Sequence, residues 1–240
     1  MISLSCNQYH FEMKQEEQLL GNIVAKDFRA ASVLSGAGLD FCCGGSKTLD
    51  AACMEKGIRT EDILEQLADL DNQPVIPGQN FNDWQPDFLS DYIVNVHHSY
   101  IRKTLPDLLF YTDKIMNVHG DRHPELKVVA ELFHSLGKEL LTHLKSEEEV
   151  LFPAIREAVK TKSPEAIEII AGEIPGMNDE HEFVGGTMDK INEITGGYKV
   201  PEDGCNTYAV TYRLLKEFED DIHIHVHLEN NILFPKSLKI

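Results

Sequence analysis

The chain of 240 residues lacks several features, and each absence removes a class of protein. No apolar run reaches the roughly 18 residues needed to span a bilayer, so a membrane protein is not expected. The opening MISLSCNQYHFE has no basic start and no apolar core, so it does not read as a secretory signal. A cytoplasmic location is therefore the expectation. Positive charge is scarce, with 22 Lys and Arg against 40 Asp and Glu and a net charge of −18. Such a surface repels a phosphate backbone, which argues against a nucleic-acid partner. β-Branched alternation with hairpin turns is absent, so strands are not predicted. The five cysteines, Cys6, Cys42, Cys43, Cys53 and Cys205, are odd in number and do not suit a disulfide framework.

What is present is helical periodicity and histidine, eleven residues of it, unevenly placed. Residues from about 16 to 70 read as small helices around the loop LDFCCGGS. Residues 71 to 87 hold three prolines and read as a linker. Beyond them the pattern predicts four long helices, about 88–117, 124–150, 177–195 and 206–232, with Pro106 kinking or restarting the first and shorter helices after Pro153 and Ser163. The expected fold is all-α: a small helical domain over 1–75, then an antiparallel four-helix bundle over 76–240.

HLKSEEEVLFP begins at His143 and HVHLENNILFP at His225, and both read H-x-x-x-E-x-x-x-L-F-P. On a helix, residues four apart differ by about 40° and share a face. His143 with Glu147, and His225 with Glu229, therefore each offer an imidazole and a carboxylate to one point. One exposed copy would be worth only a few tenths of a kcal/mol. Two copies flanked by Leu-Phe-Pro face a core instead, where uncompensated carboxylates cost several kcal/mol each. Bridging two metal ions removes that cost, and imidazole suits iron. Two ions need further donors. The third helix offers only His181, and the first offers His97 or His98. Leu89, Ile93, Val96 and Tyr100 favour His97 slightly, while Val94, Ile101 and Leu105 favour His98. A ferritin-type pair of Glu-x-x-His segments is missing, since only Glu131 and His134 have that spacing, and so is H-E-x-x-H.

With GLDFCCGG, HLKSEEEVLFP, DEHEFVG, CNTY and HVHLENNILFP in this order, the chain resembles the repair-of-iron-centres family over nearly its whole length. That resemblance implies a small helical domain before a hemerythrin-like bundle. It also implies a non-haem di-iron centre with an oxo or hydroxo bridge. The family's first-helix ligand lies seven residues before a leucine near the kink, which from Leu105 is His98. The implied metal ligands are His98, His143, Glu147, His181, His225 and Glu229. The implied function is repair of iron–sulfur proteins damaged by nitric oxide or oxidants, by donation of iron. Binding or reduction of nitric oxide, or sensing of nitric oxide or O2, is the alternative, so enzyme status stays open. Dimerisation stays open too.

Cys42 and Cys43 lie in a Gly-flanked loop before a helix, a place that exposes a thiol and lowers its pKa, and they form an expected thiol site. Glu139 and Glu180, beside His143 and His181, are expected to orient a ligand imidazole or line a path for iron. His97 is expected outside the ligand set, behind a ligand or at the surface, and His223 and His227 at the surface. Cys6 and Cys53 are expected to be passive.

Overall fold

The structure is a computed structural model, and it describes residues 18–74 and 78–240; Cys6 lies outside them. Among the described residues there are helices and no strand, with one isolated bridge between Leu19 and Thr48. The all-α expectation holds. Contacts divide the chain into two compact units. One runs up to Gln85 and takes in Val226–Lys236; the other is Pro86–His225 with Ser237–Ile240.

The first unit holds helices α1 (Leu20–Lys26), α2 (Ala30–Gly36), α3 (Leu49–Lys56) and α4 (Thr60–Asp69). Thr48 caps α3 by accepting the Ala51 N–H, and Gly57, at φ 67°, ends it in the left-handed conformation. Leu20, Val24, Leu34, Leu39, Leu49 and Ile63 form its core. Asp40 shapes the Cys-Cys loop: its carboxylate accepts the N–H groups of Cys42 and Cys43, both at 3.0 Å, and of Gly44 at 2.8 Å. Asn231 clamps the same loop, its Nδ2 donating to the carbonyls of Phe41 (3.1 Å) and Cys42 (3.2 Å). Glycine is required around it. A Cβ on Gly21 or Gly45 would stand 2.2 or 2.4 Å from Asn231 Oδ1. The stretch read as a linker is packed at its aromatic end, where Phe81 is buried with its ring against Phe28 (5.1 Å) and Trp84 (4.8 Å).

The bundle helices follow. The first is α5 (Pro86–Ile93), a π-helical turn (Val94–His98) and α6 (Ser99–His119). The second is α7 (Glu125–Ser146), a π turn (Glu147–Leu151) and α8 (Phe152–Thr161). The third is α9 (Pro164–Ile194). The fourth is α10 (Asn206–His227), a π turn (Leu228–Leu233) and α11 (Phe234–Ser237). Leu105, Leu108, Phe133, Leu140, Met188, Leu215 and Phe218 are fully buried along the bundle axis.

Two helix boundaries differ from the sequence reading. Pro106 does not restart the first helix, because α6 runs through it. Likewise α9 is continuous across Pro175, where a short helix and a separate long one were expected. Burial of an apolar stripe on both sides outweighs the one hydrogen bond each proline removes. The irregularity falls at the three π turns instead. Two of them immediately precede Phe-Pro. A proline cannot donate to the carbonyl four residues back and its ring crowds that carbonyl. Those carbonyls belong to Glu149 and Asn231, inside the π turns. The Leu-Phe-Pro ending of the repeated formula thus matches a local widening of the helix at the carboxylate, and such π turns are common at functional sites.

Candidate metal centre

His98 and Glu229 sit within π turns, Glu147 opens one, and His143, His181 and His225 stand on regular α-helix. All six are at most 1% exposed. Their donor atoms fall into two sets of four within 4.8 Å: His98, Glu147, His225 and Glu229, and His143, Glu147, His181 and Glu229. Both carboxylates belong to both sets, and each set has two imidazoles of its own. The six residues singled out in the sequence are therefore brought together, and the structure brings His98 rather than His97.

The geometry suits cations. His98 Nε2 lies 3.2 Å from His225 Nε2, and His181 Nε2 lies 3.0 Å from His143 Nε2. Nitrogens bound at right angles to one ion at about 2.1 Å stand about 3.0 Å apart. Glu147 Oε2 is 3.3 Å from Nε2 of both His98 and His143. The far nitrogens fix the tautomers. His143 Nδ1–H donates to Glu180 at 2.6 Å, and His98 Nδ1–H donates to Glu148 at 2.8 Å. Each bond leaves an Nε2 lone pair facing inward, the arrangement found behind metal-bound histidine. The hydrogen bond from His143 holds the Glu180 carboxyl below its ordinary range. Arg102 anchors Glu148 from outside at 2.8 Å. The donor set, buried imidazole and carboxylate without thiolate, is compatible with iron.

Other expectations meet mixed outcomes. Glu180 contacts a cluster histidine, whereas Glu139 is exposed on α7. Of the two places expected for His97, behind a ligand or at the surface, it takes the inner one and is 3% exposed. Its Nδ1–H donates to Asp221 at 2.9 Å, its ring stacks on His225 at 5.8 Å, and its Nε2 has no hydrogen-bond partner among the described residues. His227, expected at the surface, is fully buried, with the Phe41 ring edge-on to it at 5.5 Å and Asn231 Nδ2 3.2 Å from its Nδ1. Burial pushes its pKa down to about 4. His223 is half-buried and forms a separate group with Asp189 and Glu219. Cys42 also departs from the reading of an exposed, acidified thiol. It is 4% exposed, and its bond with Cys43, burial and Asp40 all push its pKa up. Cys43 is half-exposed, with its sulfur 3.9 Å from that of Cys42. Asp40, Cys42 and Cys43 form one further grouping of donor type.

The sequence reading missed Glu148 and Asp221. Glu148 is one of three consecutive glutamates, and only the π turn decides which faces His98. Asp221 is one turn before His225, on a helix rich in acids, and its pairing with His97 crosses between helices.

A helical bundle with four imidazoles and two carboxylates buried together is the form of a hemerythrin-type cation-binding domain. Residues 90–237 match the Hemerythrin HHE cation binding domain, and residues 16–71 match a family described as a Domain of Unknown function (DUF542). The chain is similar to a protein named iron–sulfur cluster repair protein YtfE from Enterobacter sp. (strain 638). The two are 31% identical over 229 residues, covering 94% of this chain and 99% of the relative. Proteins of the same name from Pectobacterium carotovorum (strain PC1) and Yersinia pseudotuberculosis (strain IP 31758) are each 32% identical over 230 residues, covering 95% and 99%. The chain belongs to this family of hemerythrin-type iron–sulfur cluster repair proteins.

Proposed function

We propose that the six-residue cluster holds two iron ions, and that the protein restores damaged iron–sulfur proteins by giving up that iron. The observation that carries the reading is the sharing of Glu147 and Glu229 between two four-donor sets, each with its own histidine pair. Glu147 and Glu229, with two imidazoles for each ion, would hold the iron, which when bound would supply an exchangeable cargo. The chain's own residues do the rest. Glu148 and Glu180 orient His98 and His143, and apolar neighbours such as Phe152, stacked on His98 at 5.7 Å, keep bulk water away. Glu139, exposed on α7, stands as a candidate for an outer path of iron.

The relatives named as iron–sulfur cluster repair proteins, aligned over nearly their whole length, support the same reading. It takes residues 1–75 as the small helical domain and 76–240 as the metal-binding one. It makes Cys42 and Cys43 a thiol site for contact with iron or a client protein. Cytoplasmic location is part of it; among the described residues no helix is long and apolar enough to cross a membrane.

The test is transfer. The chain is loaded with ferrous iron without oxygen and mixed with an apo iron–sulfur protein and sulfide. The proposal predicts that the client gains iron and activity as the bundle loses both ions. Retention of both ions while the client stays inactive, in a mixture where free ferrous iron activates it, would contradict it.

A further inference from the structure

The bundle carries a second reactive grouping, unrelated to the cation cluster. Cys205 is exposed and stands immediately before α10, a helix of 22 residues. Its sulfur lies 3.2 Å from Nε2 of His119, the last residue of α6. His119 is 4% exposed, and among the described residues that bond is the only one its ring makes, its Nδ1 being buried with no hydrogen-bond partner. Its ring is held edge-on against Tyr208 at 5.4 Å, and Tyr208 is fixed in turn by Tyr212, with oxygens 3.1 Å apart. A buried imidazole held by packing is thus aimed at an exposed sulfur.

We propose that Cys205 and His119 form a thiolate–imidazole exchange site for small soluble disulfides. The thiolate attacks one sulfur of the disulfide, a new S–S bond to Cys205 forms, and the old S–S bond breaks. The leaving thiolate takes the electron pair and a proton from water or the imidazole. No external oxidant or reductant is consumed, because one disulfide replaces another. The arrangement follows the rule that a reactive thiol sits near an imidazole and a helix N-terminus.

The electrostatic surroundings agree. The bond with His119 is the largest influence on the thiol, and the backbone amides of Tyr208 and Thr207 add to it; together they lower its pKa to about 7. Asp203, two residues earlier, would oppose a thiolate, but Arg122 engages it at 2.8 Å and His123 at 2.9 Å. Glu125 is turned to His123 at 3.2 Å. Cys42 and Cys53 contrast with this: the bond with Cys43, burial and Asp40 raise the Cys42 thiol, and burial with nearby Asp50 and Glu61 raises that of Cys53.

Rapid alkylation of the full chain with iodoacetamide from pH 5.5 to 9, followed by mass spectrometry of the Cys205 peptide, tests the proposal. The rate should rise with a midpoint near pH 7. In His119→Gln the midpoint should rise toward about 8.5, the ordinary thiol value, the Tyr208 and Thr207 amides holding it somewhat below. Oxidised glutathione at pH 7 should place one glutathione on the Cys205 peptide, and Cys205→Ser should lose that adduct. A wild-type midpoint at or above 8.5, or no glutathione adduct on Cys205, would overturn the proposal. The wild-type profile decides it even if His119→Gln folds poorly.

Discussion

One oxygen of Glu147 lies 3.3 Å from Nε2 of His98 and 3.3 Å from Nε2 of His143, on two different helices of the bundle. A fully buried carboxylate set between two imidazoles carries a desolvation cost that a bound cation removes. Glu147→Gln should therefore separate binding from stability. It should abolish tight binding of at least one ion. In the metal-free state it should be more stable than the wild type by roughly 1–3 kcal/mol. Urea unfolding of both proteins after chelation measures this, and a less stable Gln variant would show that the carboxylate is compensated without metal.

The outer hydrogen bonds give a second expectation. Glu148→Gln and Glu180→Gln keep the shape but weaken the bonds that orient His98 and His143. Each should lower metal affinity about 10–100-fold, the usual effect of losing such a partner. Competition with a chromophoric chelator gives the values. Glu139→Gln, on an exposed residue, should leave affinity unchanged.

Packing around Asn231 predicts a coupled pair. Gly21→Ala places a methyl 2.2 Å from Asn231 Oδ1 and should cost roughly 1–3 kcal/mol. Asn231→Ala alone loses the bonds to the Phe41 and Cys42 carbonyls. The double variant should be less destabilised than the sum of the singles, by at least about 0.5 kcal/mol. Additive costs would mean that the glycine is not there to admit the asparagine.

His227 sets an acid limb. Its folded pKa of about 4 is below the ordinary histidine value of about 6.5, so the unfolded chain binds the proton more readily. Stability from this residue is complete above about pH 6.5, erodes as the pH falls, and is lost through pH 4. Metal-free wild type should lose on the order of 2 kcal/mol more than metal-free His227→Phe between pH 7 and pH 5. Equal losses in chelator-treated samples would contradict the burial argument.

Much of this was legible in the sequence because helical spacing carries direction. His143 with Glu147 and His225 with Glu229 are four apart, and that spacing alone puts each pair on one face. His181 followed by elimination, as the one histidine of its helix. The choice of His98 over His97 was not legible from periodicity. Both are buried, and a π turn at Val94–His98 shifts the face that a regular 3.6-residue count assigns. Glu148 and Asp221 stayed hidden because their partners lie on other helices. His227 was misjudged because the alternation that turns it away from His225 says nothing about what covers the far side. For Cys42, a Gly-flanked loop suggested exposure, but the Asn231 bonds and the buried Phe41 pull that loop inward.

The central claim is that two bridging carboxylates hold a pair of irons, and Mössbauer spectroscopy on the iron-loaded chain, with iron quantified in the same sample, tests it most directly. The account predicts about two irons per chain, magnetically coupled, with coupling lost in Glu147→Gln. One uncoupled iron per chain, or coupling that persists without the Glu147 carboxylate, would contradict it.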